Sequence, residues 1–146
     1  MQTQNVVNTP KENENVTKLK QAYAFWNDNL GKSNQQWMDL MDDNVVFRSL
    51  AGGAQGMEFT LDCSGKNELQ RYFAGLAEDW EMIHYTPDEF IADGDRVVVL
   101  AHTAWKSRKT GKSVETPKAD IFRFKNGKVV DFYEFYDTYR CIAAGL

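Results

Sequence analysis

The sequence predicts an α+β fold in which N-terminal helices pack on a curved antiparallel β-sheet. Two observations carry this. Apolar residues recur at helical spacing through the first eighty residues, whereas four long alternating segments joined by tight turns follow Trp80. Helices first and a strand meander second is the α+β order, with the helices covering one sheet face.

Helix 1 is announced by Thr9-Pro10-Lys11-Glu12, a capping box with proline at the first helical position. Val16, Leu19, Tyr23, Trp26 and Leu30 then share one face until Gly31. Ser33 to Gln36 repeats the capping pattern and predicts a short second helix with Trp37, Leu40 and Met41, ending at Asp42-Asp43-Asn44. Val45 to Phe47 reads as a strand. Residues 49–63 are glycine-rich and irregular, with at most a short strand at residues 58–61, and could lid an opening. Ser64 is the expected cap of a helix presenting Leu69, Tyr72, Phe73, Leu76 and Trp80.

Strands are expected over residues 82–92, 96–107, 113–125 and 128–139, turning at Asp93-Gly94-Asp95, Lys109-Thr110-Gly111 and Asn126-Gly127. A second sheet face carrying Val97, Val99, Ile121, Tyr133 and Phe135 would need cover, which predicts a homodimer through that face.

With 146 residues the chain is expected to form a flexible tail over 1–9 and one domain over 10–146. The first fifteen residues carry no export-signal pattern and no run is long and apolar enough to span a membrane, so a cytoplasmic protein is expected. A net charge of −4 opposes nucleic-acid binding. Cys63 and Cys141 stand alone, without metal-ligand spacing or a histidine partner, and read as reduced structural thiols. Gly52-Gly53-Ala54-Gln55-Gly56 lacks the following Lys-Ser/Thr of a phosphate loop. No metal, cofactor or covalent nucleophile is expected.

The element order, the segment Val114-Glu115-Thr116-Pro117-Lys118-Ala119-Asp120-Ile121-Phe122-Arg123-Phe124, the following Asn126-Gly127-Lys128-Val129-Val130 and the ending Tyr133-Glu134-Phe135-Tyr136-Asp137-Thr138 resemble the SnoaL-like, ketosteroid-isomerase-related branch of the NTF2-like superfamily. The resemblance covers roughly residues 12–144 and implies a helix-lined cone around the sheet. That superfamily holds isomerases, cyclases, hydratases and non-catalytic modules, so the resemblance implies a container rather than one reaction. It sets Tyr23 and Asp43 loosely where an isomerase of this fold keeps its tyrosine and its base.

Hairpin geometry decides which side chains share a face. A three-residue loop at each Gly-containing turn would put His102, Lys118 and Glu134 in one row, with Asp120 between Leu100 and Phe132, and Val98, Phe122 and Val130 as apolar floor. A two-residue turn at Asn126-Gly127 would instead oppose Asp120 to Tyr133 and Lys118 to Phe135. The candidate catalytic residues are Asp120, Glu134, Lys118 and His102. One acid would be a general base and the other would orient Lys118, and His102 could shuttle a proton. Trp26, Trp80, Tyr85, Phe122, Phe132 and Tyr136 are candidate walls for a ligand. Asp137 would reach the cavity mouth or cap the C-terminal turn.

Three readings follow. The chain is a cofactor-free isomerase, cyclase or hydratase acting on a small hydrophobic molecule by acid/base chemistry; or it binds such a molecule without turnover; or it is a dimerisation module. Under the non-catalytic readings Lys118, Asp120 and Glu134 form an ion-pair network that fixes register.

Overall fold

The computed structural model describes residues 7–146; the expected tail therefore falls on residues 1–6, outside the described residues, and on Val7, Asn8 and Thr9. Helix α1 spans Pro10–Asp28 and starts as the capping box requires. The Thr9 hydroxyl accepts from the Glu12 amide, and Glu12 Oε1 accepts from the Thr9 amide at 2.6 Å. The other Glu12 oxygen accepts from the Gly94 amide at 2.7 Å, tying the helix start to a distant strand turn. These backbone bonds hold the Glu12 carboxyl below its usual range.

Helix α2 (Gln35–Leu40) is followed at once by β1 (Met41–Ser49), four residues before the expected strand start, and its N-cap is Asn34 rather than Ser33. The glycine-rich stretch carries a single 3₁₀ turn (Glu58–Thr60) where a strand was an option, and then the two-residue strand β2 (Cys63–Ser64). Helix α3 (Lys66–Asp79) begins behind Gly65, which takes a φ of 87° and occupies the N-cap position expected of Ser64, without a side-chain capping bond. Strands β3 (Trp80–Asp93), β4 (Arg96–Ser107), β5 (Ser113–Lys125) and β6 (Lys128–Tyr136) form the meander. A terminal helix, α4 (Thr138–Gly145), lies beyond it, N-capped by Asp137 Oδ1, which accepts from the Arg140 amide. Capping is thus the role the structure gives Asp137.

The six strands lie in the order β2-β1-β6-β5-β4-β3. All neighbours are antiparallel except β1 and β6, which run parallel because α3 and the meander separate them in sequence. Helices α1 and α3 cover the concave face, and the core of Leu19, Tyr23, Trp26, Val45, Phe47, Leu69, Phe73, Val97, Val99, Phe122 and Phe132 lies between.

Two turns set the register, and each differs from expectation in an instructive way. Between β4 and β5 the Ser107 amide donates to the Lys112 carbonyl, closing a loop of four residues rather than three. Ala101, not His102, therefore faces Lys118. A one-residue slip turns every β4 side chain over. Val97 and Val99 accordingly point into the core, while Val98, Leu100 and His102 join Ile121, Tyr133 and Phe135 outside.

Between β5 and β6 the turn is the two-residue Asn126-Gly127, both residues having positive φ (51° and 77°), with Lys125 paired to Lys128. A bulge then intervenes: Phe124 pairs with Val129 but Arg123 with Asp131, leaving Val130 unpaired. The bulge moves the pairing one residue further in the same direction as the tight turn. Asp120 therefore opposes Glu134 rather than Tyr133 or Phe132, and Lys118 opposes Tyr136.

Candidate functional site

The register places one polar row on the concave face, running Val99, Asp120, Glu134 and Ser49 across β4, β5, β6 and β1. Two acids facing each other across an antiparallel pair repel, and both are almost fully buried, at 1% and 3% exposed. Lys118, one pleat along β5, answers this. Its Nζ lies 2.7 Å from Glu134 Oε1 and 3.3 Å from Asp120 Oδ1. Burial works to lower the Lys118 pKa, but the two facing carboxylates outweigh it and hold the ammonium above the ordinary lysine value. The Nζ also sits 4.7 Å above the Tyr85 ring.

Tyrosine hydroxyls from three elements complete the cluster. Tyr23 of α1 donates to Asp120 Oδ2 at 2.6 Å, and Tyr85 of β3 donates to the same oxygen. Tyr72 of α3 donates to Glu134, 2.7 Å from Oε2 and 3.1 Å from Oε1. Burial, reinforced by the neighbouring carboxylates, drives the pKa of all three phenols well up, so they remain protonated donors. Tyr136 is raised too, by burial first and Glu134 second, and its hydroxyl lies 2.6 Å from Ser49 Oγ.

One acceptor is left over. Asp120 Oδ1 accepts no hydrogen bond, because Lys118 Nζ approaches within ion-pair distance but outside hydrogen-bonding geometry. Both Glu134 oxygens, by contrast, are engaged.

Asp120, Glu134, Lys118, Tyr23, Tyr72 and Tyr85 line a cavity of about 100 Å³. Its remaining walls are mainly aromatic and include Trp26, Trp37, Trp80, Phe122, Phe132 and Tyr136. The irregular segment between β1 and β2 contributes Met57, Phe59 and Thr60. That segment is pressed onto α3 at Gly75, where a Cβ would lie 2.3 Å from Phe59 Cβ.

The structure thus brings together three of the four candidate catalytic residues and all six candidate wall residues. His102 is the exception. The four-residue turn sends it to the outer face, where its Nδ1 lies 2.8 Å from Asp88 and its ring meets His84 at 5.2 Å. A shuttle role in this cavity is therefore ruled out for it. Asp43 is also elsewhere, exposed and 3.6 Å from Lys66. Tyr23 does join the acids, and Tyr72 is a functional candidate that the sequence shows only as part of a helical stripe. The available signal was the hydroxyl itself, since a buried phenol needs a partner and the apolar stripes offer none. Among the described residues no group of His, Cys, Asp and Glu could hold a metal ion.

Helices packed on a six-stranded mixed sheet in this order make an NTF2-like fold, and solved structures agree. An NTF2-like protein of unknown function from Burkholderia pseudomallei K96243 is 24% identical, with a TM-score of 0.78 over 90% of this chain and 96% of its own. A candidate SnoaL-like polyketide cyclase from Jannaschia sp. CCS1 is 17% identical, with a TM-score of 0.78 over 96% of each chain. A ketosteroid isomerase-like fold from Catenulispora acidiphila DSM 44928, in complex with trimethylamine, is 18% identical, with a TM-score of 0.71 over 94% of each chain. The chain belongs to the SnoaL-like domain family, whose profile matches residues 19–132. No curated protein matches it.

Proposed function

We propose that the chain is a cofactor-independent proton-transfer enzyme of the isomerase or lyase type, with Asp120 as general base and Lys118 as the cation facing the developing oxyanion. The observation that carries this reading is the unequal engagement of the two acids. Glu134 is committed through both oxygens to Tyr72 and Lys118, whereas Asp120 keeps Oδ1 free of hydrogen bonds. A carboxylate oxygen that accepts no hydrogen bond, beside a largely aromatic cavity, is the kind of acceptor proton abstraction needs. Asp120 Oδ1 would remove a proton from the carbon next to a carbonyl, and the electron pair would move onto the carbonyl oxygen. An ammonium N–H of Lys118 would stabilise that oxyanion. Returning the proton to the same or a conjugated carbon regenerates the carboxylate.

Lys118 does not serve as an amine nucleophile in this scheme, since the carboxylates keep it protonated. Glu134 and Tyr72 hold its position. Neighbours of the same fold described as candidate isomerase and polyketide cyclase support acid/base chemistry in such a container.

The test is deuterium incorporation next to the carbonyl of small neutral ketones in D2O, followed by proton NMR. Wild type should exchange above the buffer rate, and Asp120→Asn should lose about 10²-fold or more of that enhancement while retaining its circular dichroism spectrum. Equal rates in wild type and a folded Asp120→Asn would sink the assignment. Should no ketone exchange while ligands still bind, the chain is a binding module and the polar row serves to fix register.

A further inference from the structure

Accepting the proton-transfer reading for its reactive group, we infer that the ligand is a compact, uncharged carbonyl compound no bulkier than a single small ring. A steroid or fused-ring polyketide would have to leave most of its ring system outside the cavity.

The size limit comes from how the sequence fills its own cone. Trp26, Trp37, Trp80, Trp105, Phe59 and Tyr85 all turn toward the space, and about 100 Å³ remains. An apolar protein cavity of roughly 150 Å³ admits one benzene molecule, so this one takes a five- or six-membered ring at most. Phe59 sets one wall, and it is fixed against Gly75, where there is no room even for a methyl group between them.

The charge limit comes from the polar row. The ammonium of Lys118 already faces two carboxylates at 2.7 and 3.3 Å. A carboxylate or phosphate ligand would bring another anion into a buried site whose one lining cation among the described residues is already shared between two acids, and its lost hydration would go uncompensated. A neutral carbonyl oxygen asks only for one N–H, and Lys118 carries three against two nearby carboxylate oxygens, Glu134 Oε1 at 2.7 Å and Asp120 Oδ1 at 3.3 Å.

Saturation-transfer NMR and titration with cyclopentanone, cyclopentanecarboxylate and the fused-ring ketone 2-decalone test both limits. Wild type should bind cyclopentanone at least about tenfold more tightly than either of the others. Phe59→Ala should admit 2-decalone and close its tenfold gap, while leaving the carboxylate excluded; Met57→Ala enlarges the same wall and replaces Phe59→Ala if that variant does not fold. Wild-type binding of 2-decalone, or of the carboxylate, as tight as that of cyclopentanone overturns the inference, as does failure of cyclopentanone to bind. An enlarged variant that folds and still excludes 2-decalone overturns the size limit. Selective binding of cyclopentanone without deuterium exchange would leave these limits standing and remove the catalytic reading alone.

Discussion

Replacing Lys118 by methionine keeps most of the side-chain volume and removes the single cation between two buried acids. Asp120 and Glu134 would then face each other across β5 and β6 with no compensating charge, while the three tyrosine hydroxyls keep donating. Breaking a buried pair on one side costs about 3–5 kcal/mol, because the partner's charge stays behind unpaired. For a chain of this size that is a drop in Tm of about 10–15 °C near neutral pH. The variant also acquires a pH dependence of definite sign. Without the ammonium two buried like charges face each other, and adding a proton to the pair relieves that repulsion, so the variant is expected to regain stability relative to wild type as pH falls. Guanidine unfolding at pH 5 and pH 7.5 should show Lys118→Met recovering part of its loss at the lower pH. In wild type the raised lysine pKa contributes stability that is fully present below the unfolded lysine value and is lost only as alkaline pH rises through the folded value. A Lys118→Met protein within 1 kcal/mol of wild type at both pH values, taken here as roughly the worth of an exposed pair, would refute the view that this cation balances the row.

Tyr72→Phe removes the donor shared by both Glu134 oxygens and should cost about 1.5–3 kcal/mol, measurable by denaturant titration. Its effect should not add to that of Lys118→Met, since both act on Glu134. The Cys141 thiol, pushed up to about 11 by burial, and the buried Cys63 thiol, also raised, should resist a thiol-reactive disulfide reagent at pH 8 and both react in guanidine. The outer sheet face carries exposed Val46, Ile91, Leu100 and Phe135, while its Arg48 and Arg123 are paired to Asp131 and Asp95 within the chain. This face is expected to pair with a second copy through its apolar residues; light scattering should give twice the chain mass, reduced by Leu100→Glu.

Local chemistry made much of this molecule legible in its sequence. The Thr9 to Glu12 capping box fixed the start of α1 because its hydrogen bonds close within four residues. Alternation after Trp80 gave the meander, and the even spacing of Lys118, Asp120 and Phe122 put them on one face of β5 wherever its partners lay. The pairing of the two acids and the place of His102 were decided elsewhere. A fourth loop residue before Ser113 turned β4 over, and an unpaired Val130 set Asp120 level with Glu134. Turn length and bulges depend on the competition between local backbone geometry and packing across the whole sheet, which no short window of residues contains. The tyrosines show the same division. Sequence placed Tyr23 and Tyr72 on buried helical stripes, but only the docking of two helices on one strand pair could bring their hydroxyls to acids 97 and 62 residues away in the chain and leave a single carboxylate oxygen unclaimed.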